Sequence, residues 1–247
     1  MSDGIDKYLC AAGLKFPQNR TELAAFREAY KDYVVSTNVD TIDPSRIIDE
    51  VKKETQGHIN KPTNVDYHKR TVLASEIIYY LREDRHMGHL KLQKLLFLCQ
   101  NAAKMSLHMN FLKQAMGPYD PILMRSIDIQ LKKRNWFEYN ENGFPKYMPL
   151  SKCGEHKHWF NRYFSRELEK VYSLLDIFKK FNGNQIELVA TIYAVWMKAI
   201  ETKSILNDNY FIIGVYNWDK SKRDKFTPEQ IVNAVGWMTE KGIYPND

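Results

Sequence analysis

Hydrophobic positions along this chain recur more often at the three-and-four spacing of an amphipathic helix than at the two-residue spacing of a strand. The clearest stretch begins at Lys91, where Leu92, Leu95, Leu96, Cys99, Ala102 and Ala103 share one wide face. Phe97 and Leu98 widen that face until little is left for water, which predicts a central, largely buried helix. A short polar connector follows, then the turn signal Gly117-Pro118. Asp120-Pro121 next places an N-cap carboxylate before a proline at the first helical position, where the missing N–H is harmless. The helix so opened is expected to run through Ile122, Leu123, Ile127 and Leu131. It should stop at Lys132-Lys133-Arg134, cations suited to a helix C-terminus. As a cap, Asp120 is worth on the order of 1 kcal/mol.

The same periodicity organises the flanks. Residues 1–60 suggest short helices over 4–14, through Leu23, Phe26, Tyr30 and Tyr33, and through Ile47, Ile48 and Val51 after Asp43-Pro44. The polar run from Thr55 to Pro62 reads as a linker, so 1–60 is taken as a helical appendage and 61–247 as the main domain. From Asp66 a helix carries Leu73, Ile77, Tyr80 and Leu81 inward. Trp136 to Tyr139 and Lys146 to Leu150, around Asn140-Glu141-Asn142-Gly143, read as a β-hairpin lying on the helices like a wing. One long helix through Phe164, Leu168, Val171, Leu174, Leu175, Phe178 and Phe181 should end at Asn182-Gly183 in a left-handed cap. Asn184 then caps a buried helix over 188–200. Tyr210 to Tyr216 is strand-like by content, with a short helix as the alternative. Thr227-Pro228-Glu229-Gln230 is a capping box opening a last helix that Gly242 ends. The fold class expected is mainly α, a multi-helix bundle with one small β-hairpin.

Composition changes this picture little. With 247 residues, 44% hydrophobic and 27% charged, the chain suits one large domain, or one with an appendage. No apolar run reaches the roughly 20 residues of a membrane helix, and the acidic start is unlike a secretory signal, so a cytoplasmic protein without membrane partners is expected. Cys10, Cys99 and Cys153 are far apart and odd in number, which favours free thiols over a disulfide framework. Charge is uneven: residues 1–60 carry 8 Lys/Arg against 10 Asp/Glu, and the remainder 28 against 20. A basic body can meet an acidic protein surface or nucleic acid.

Chemistry-bearing motifs are sparse. Cys153, Glu155, His156 and His158 form the densest set of possible metal ligands. They lack the second pair that a structural zinc site uses, and read as a solvated loop. His86 and His89 flank Gly88 in what reads as a surface turn. No phosphate-cradling glycine loop, GxSxG or HExxH is present. Trp218 to Phe226 interleaves cations with aromatics, but two aspartates dilute it to an ordinary charged loop.

One motif order stands out. A lysine-led KLQKLLF helix, a spacer, GPYDP opening the next helix, and an aromatic after a basic helix end together resemble the Panacea domain. The similarity covers residues 72–150 and continues more weakly through ATIYAVW and NAVGWMTEKGIYP. The resemblance implies a non-enzymatic antitoxin that neutralises a cognate protein toxin by occlusion, with no cofactor. A DNA-associated accessory module of a type I restriction system is the alternative, nucleic acid being the less favoured partner. It makes Lys91, Gln93, Lys94, Gly117, Pro118 and Pro121 structural motif positions. Tyr119, Asp120, Lys132, Lys133, Arg134 and Trp136 become candidate partner contacts, with toxin specificity expected in residues 1–60.

Overall fold

The computed structural model describes residues 63–140 and 146–245. The helices and linker expected before residue 63, Cys10, and the turn at 141–143 lie outside the described residues. The described part is mainly helical, 61% of it in α-helix. None of its helices is long and apolar enough to cross a membrane.

The first helix, α1 (Asn64–Tyr80), starts at a reciprocal capping box: Asp66 N–H donates to Thr63 Oγ1 and Thr63 N–H to Asp66 Oδ2. Those Thr63 bonds hold the Asp66 carboxyl below its usual range. Val72, Leu73, Ala74, Ile77 and Ile78 face the core, but Tyr80 points outward and bonds Asp176, contrary to the expected pattern. Helix α2 (His89–Asn101) is the centre, with every residue from Lys91 to Cys99 buried. It packs on α1 and on α6 (Gly183–Glu201), the long apolar helix of the C-terminal half.

Between α2 and the next helix the chain makes a ribbon that the hydrophobic pattern did not predict. Strands β1 (Leu112–Gln114) and β2 (Gly117–Tyr119) pair antiparallel, Lys113 opposite Pro118. Asp120 then caps α3 (Pro121–Lys133), as expected. Ile122, in the first turn of α3, is exposed. A Schellman turn closes α3: Asn135 adopts φ 57°, Trp136 N–H donates to Leu131 O, and Asn135 N–H donates to Lys132 O. That turn sends Trp136 into the core and starts the expected hairpin, β3 (Phe137–Asn140) against β4 (Lys146–Pro149). The hairpin lies on α3, where Tyr147 Oη donates to Asp128 Oδ1 at 2.8 Å.

The helix expected over 164–181 is shorter, and a separate helix precedes it. Helix α4 (His156–Tyr163) ends at Phe164, and α5 (Leu168–Phe178) resumes four residues later. Asn182-Gly183 is not a left-handed cap: Asn182 is the N-cap of α6, in a capping box with Gln185, and Gly183 is its first residue. Residues 210–216 form α7 (Asp208–Tyr216), not a strand. Asn207 accepts from Tyr210 N–H to start it. Gly214 lets it lie on α6 so closely that an added Cβ would fall 2.4 Å from Val195 Cγ1. The expected charged loop contains a short helix, α8 (Ser221–Lys225), and α9 (Pro228–Glu240) opens at the Thr227 capping box.

Candidate functional site

The two motifs that stand out in sequence meet in space, through side chains of α2 that reach backbone carbonyls. Lys94 Nζ donates to Pro118 O at 2.6 Å and Gln93 Nε2 to Asp120 O at 3.0 Å. One turn earlier, Lys91 Nζ bonds Phe181 O at 2.6 Å and Lys179 O at 3.2 Å beyond the end of α5, and Asp84 Oδ2 at 2.5 Å. All three α2 side chains are buried. Such polar groups are tolerable inside a protein only when bonded, and carbonyls at strand and helix ends need partners as well. The motif is therefore a polar junction tying α2 to the ribbon and to α5.

Asp120 belongs to that junction. Its Oδ1 accepts from Leu123 N–H at 2.9 Å, and its Oδ2 from Asn110 N–H at 3.1 Å. The second bond holds the 103–111 loop, whose carbonyls at Leu107 and His108 also take the buried Arg70 guanidinium. Asp120→Ala removes both bonds, so the cap-only figure is too small. The expected loss is about 2 kcal/mol, read as a lower urea midpoint with an unchanged slope.

Behind the junction lies an ionic cluster with no sequence signal. Glu187 of α6 is buried and receives Lys222 on Oε1 and Lys225 on Oε2, the latter at 2.6 Å. Lys222 is fully enclosed, and burial lowers its pKa. Lys94 faces the same carboxylate; burial pulls it down to about 7, with Glu187 opposing the shift and Lys222 and Lys225 adding to it.

A second buried cluster corrects the solvated-loop reading of residues 153–158. His156 is fully enclosed, with Nε2 at 3.0 Å from Glu76 Oε2, and Tyr172 Oη donates to Glu76 Oε1 at 2.9 Å. Cys153 is half-buried, while Glu155 and His158 are not drawn into the cluster. Among the described residues no group of three or more His, Cys, Asp or Glu is placed to hold a metal ion. His89 does not sit in a bare turn: its ring stacks on Tyr139 at 3.5 Å, and its Nε2 lies 2.9 Å from Asp128 Oδ2. Cys99 is enclosed and its thiol is pushed up to about 12, so it is inert as a nucleophile.

The candidate contacts separate by burial. Asp120 and Trp136 are in the core, Tyr119 and Arg134 are half-buried, and Lys132 and Lys133 are exposed. Trp136, 3% exposed, offers no surface and serves instead as a platform for the Arg134 guanidinium, 5.2 Å from its ring centre. The outer face of α3 also carries two aliphatic side chains absent from the sequence-derived set, Ile122 at 75% and Ile129 at 58% exposure. They lie seven residues apart on one stripe with exposed Arg125, Lys132 and Lys133.

The sequence matches no family model and no curated protein.

Proposed function

We propose that this chain is a non-enzymatic antitoxin, a preformed helical body that binds a partner toxin and occludes it. The observation that carries this reading is the outer stripe of α3. The inner face of that helix is already filled by Leu123, Met124, Ile127 and Leu131, so Ile122 and Ile129 are not needed for its packing. Isolated exposed aliphatics are ordinary on any surface. Two of them on one helical face, beside the exposed Arg125 and Lys133, suit a partner surface that is apolar at its centre and acidic at its rim. A standard interface of roughly 1,600 Å² in total fits a body of this size. The alternative, a DNA-associated module, is less well supported, because Lys132 is paired with Glu138 and the stripe places apolar groups where phosphate contacts would sit.

The test is to read the genes that neighbour this one and to co-express the chain with the product of any small, toxin-like reading frame among them. The wild-type chain should restore growth and co-purify with that protein. The double variant Ile122→Glu/Ile129→Glu should melt within about 0.5 kcal/mol of wild type, as surface changes do, yet fail in both assays. Rescue by the double variant removes α3 as the contact surface. Absence of rescue by the wild type, together with nanomolar binding to a defined duplex at physiological salt, replaces the antitoxin reading with the DNA module.

A further inference from the structure

Between the start of α1 and the end of α3 lies a cleft of about 420 Å³, lined by Asn64, Tyr67, His68, Ser126, Gln130 and Arg134. Two of its residues carry a polar atom that is shielded from solvent and has no hydrogen-bond partner among the described residues: His68 Nε2 and Arg134 Nε. Each unpartnered atom alone is uncommon in a folded protein. Here both belong to one cavity, and both side chains are held against one ring. The Arg134 guanidinium lies 5.2 Å from the Trp136 centroid and the His68 imidazole 6.4 Å from it. His68 is fixed further by Tyr163, whose hydroxyl is 2.9 Å from Nδ1, and by edge-on packing against Trp159. Both groups therefore sit beside the same indole, His68 at a tilt of 34° to it.

We propose that this cleft is a binding site for a small organic carboxylate, its carboxylate on the Arg134 guanidinium and its body against Tyr67. Three observations select that class. The lining contains one formal charge, Arg134, and no acid, and its other polar groups are the Tyr67 and Ser126 hydroxyls, the Asn64 and Gln130 carboxamides and the His68 imidazole. His68 does not add a second charge at neutral pH, because burial and the neighbouring Arg134 both lower its pKa. The site therefore matches one negative charge, where a phosphate dianion wants two. The planar guanidinium fork, held over the Trp136 ring, suits a planar carboxylate. Finally, the volume falls in the range of small-molecule sites rather than that of a lone ion, and Tyr67, 39% exposed, supplies an aromatic side chain to the lining. This site is distinct from the α3 stripe: Arg134 faces the cleft, whereas Ile122 and Ile129 face outward.

Benzoate is the probe, with benzamide as its uncharged isostere and phenyl phosphate as the dianionic one. The readout is the arginine Nε–H region of a proton–nitrogen correlation spectrum of the full chain, in which Arg134 is identified by its disappearance in Arg134→Lys. Benzoate should shift the Arg134 resonance saturably, with a dissociation constant of about 1 mM or tighter, and benzamide should leave it in place. By calorimetry Arg134→Lys, which keeps the charge and loses the fork, should bind benzoate about tenfold more weakly. Should that variant prove unstable, Ser126→Ala tests the same wall about two helical turns earlier and should weaken benzoate roughly threefold by loss of one donor. An unmoved Arg134 resonance, an equal response to benzamide, tighter binding of phenyl phosphate, or unchanged affinity in the stable variants would each overturn the proposal.

Discussion

Replacing Lys222 with methionine should lower the stability of this protein by about 3–5 kcal/mol, among the largest losses expected from one substitution in its C-terminal half. The reason is the carboxylate left behind. Glu187 is 1% exposed, and Lys222 supplies the partner on one of its oxygens. With that ammonium gone, Lys225 on the other oxygen must hold a buried anion almost alone, since Lys94 is drawn towards neutrality by its own burial. Removing the anion as well reverses the logic. In Glu187→Leu/Lys222→Met, Lys225 can turn its head into water, and Lys94 needs only to shed its proton. The double variant should return to within about 2 kcal/mol of wild type, because an apolar pair of similar volume replaces a desolvated ionic one. Urea unfolding of the four proteins in this cycle measures the coupling. A loss below about 1 kcal/mol in Lys222→Met would mean that water reaches Glu187 and that the cluster is not enclosed.

The second large effect is expected at Gly117. Its φ of +91° lies where side chains are rarely accommodated, and a Cβ there would fall 2.9 Å from Thr191 Oγ1 and 3.4 Å from both Cε and Nζ of Lys94. Neither neighbour yields easily: Thr191 donates to Glu187 O at 2.7 Å, and Lys94 is fixed on Pro118 O. Backbone strain and overpacking together should make Gly117→Ala about 3 kcal/mol less stable than wild type. The two causes separate in a Thr191→Ala background, where the overlap is relieved and only the backbone part, about 1 kcal/mol, should remain. Thermal or urea unfolding of Gly117→Ala in both backgrounds decides between them. Equal losses would assign the whole effect to the backbone.

What could be read from sequence and what could not divide along the reach of the interactions. Asp120-Pro121 and Thr227-Pro228-Glu229-Gln230 announce α3 and α9 because a capping side chain and the N–H that donates to it lie three residues apart, and the 136–150 hairpin is equally local. The failures are of two kinds. Residues 210–216 have strand-like content, yet the Asn207 cap and the close approach of Gly214 to Val195 make them helical, a tertiary override of a weak local preference. The helix expected over 164–181 covers only 168–178, because an apolar period does not mark where a helix starts and stops. The polar sites were the least legible. The carbonyls that receive Lys91 lie 88 and 90 residues away, Glu187 lies 35 residues from Lys222, and Glu76 lies 80 from His156. No spacing rule links residues so far apart. A lysine in an otherwise apolar helical face is the signal that could have flagged Lys91 and Lys94, since only a bonded ammonium can stay there.

The anchors of α2 have a further property. Lys94, Gln93 and Lys91 reach the ribbon and the far end of α5 through oxygens at Pro118, Asp120, Lys179 and Phe181 that belong to the peptide chain itself. Every residue type brings the same oxygen, so these bonds place no demand on which side chain stands at the receiving position. These backbone bonds are blind to the identity of what they hold; the Asp84 carboxylate on Lys91 is the exception. Outward-facing positions on the held segments, such as Leu112 and Lys179, can change while the bonds that hold them remain. A frame wired in this way can alter its face without being rebuilt.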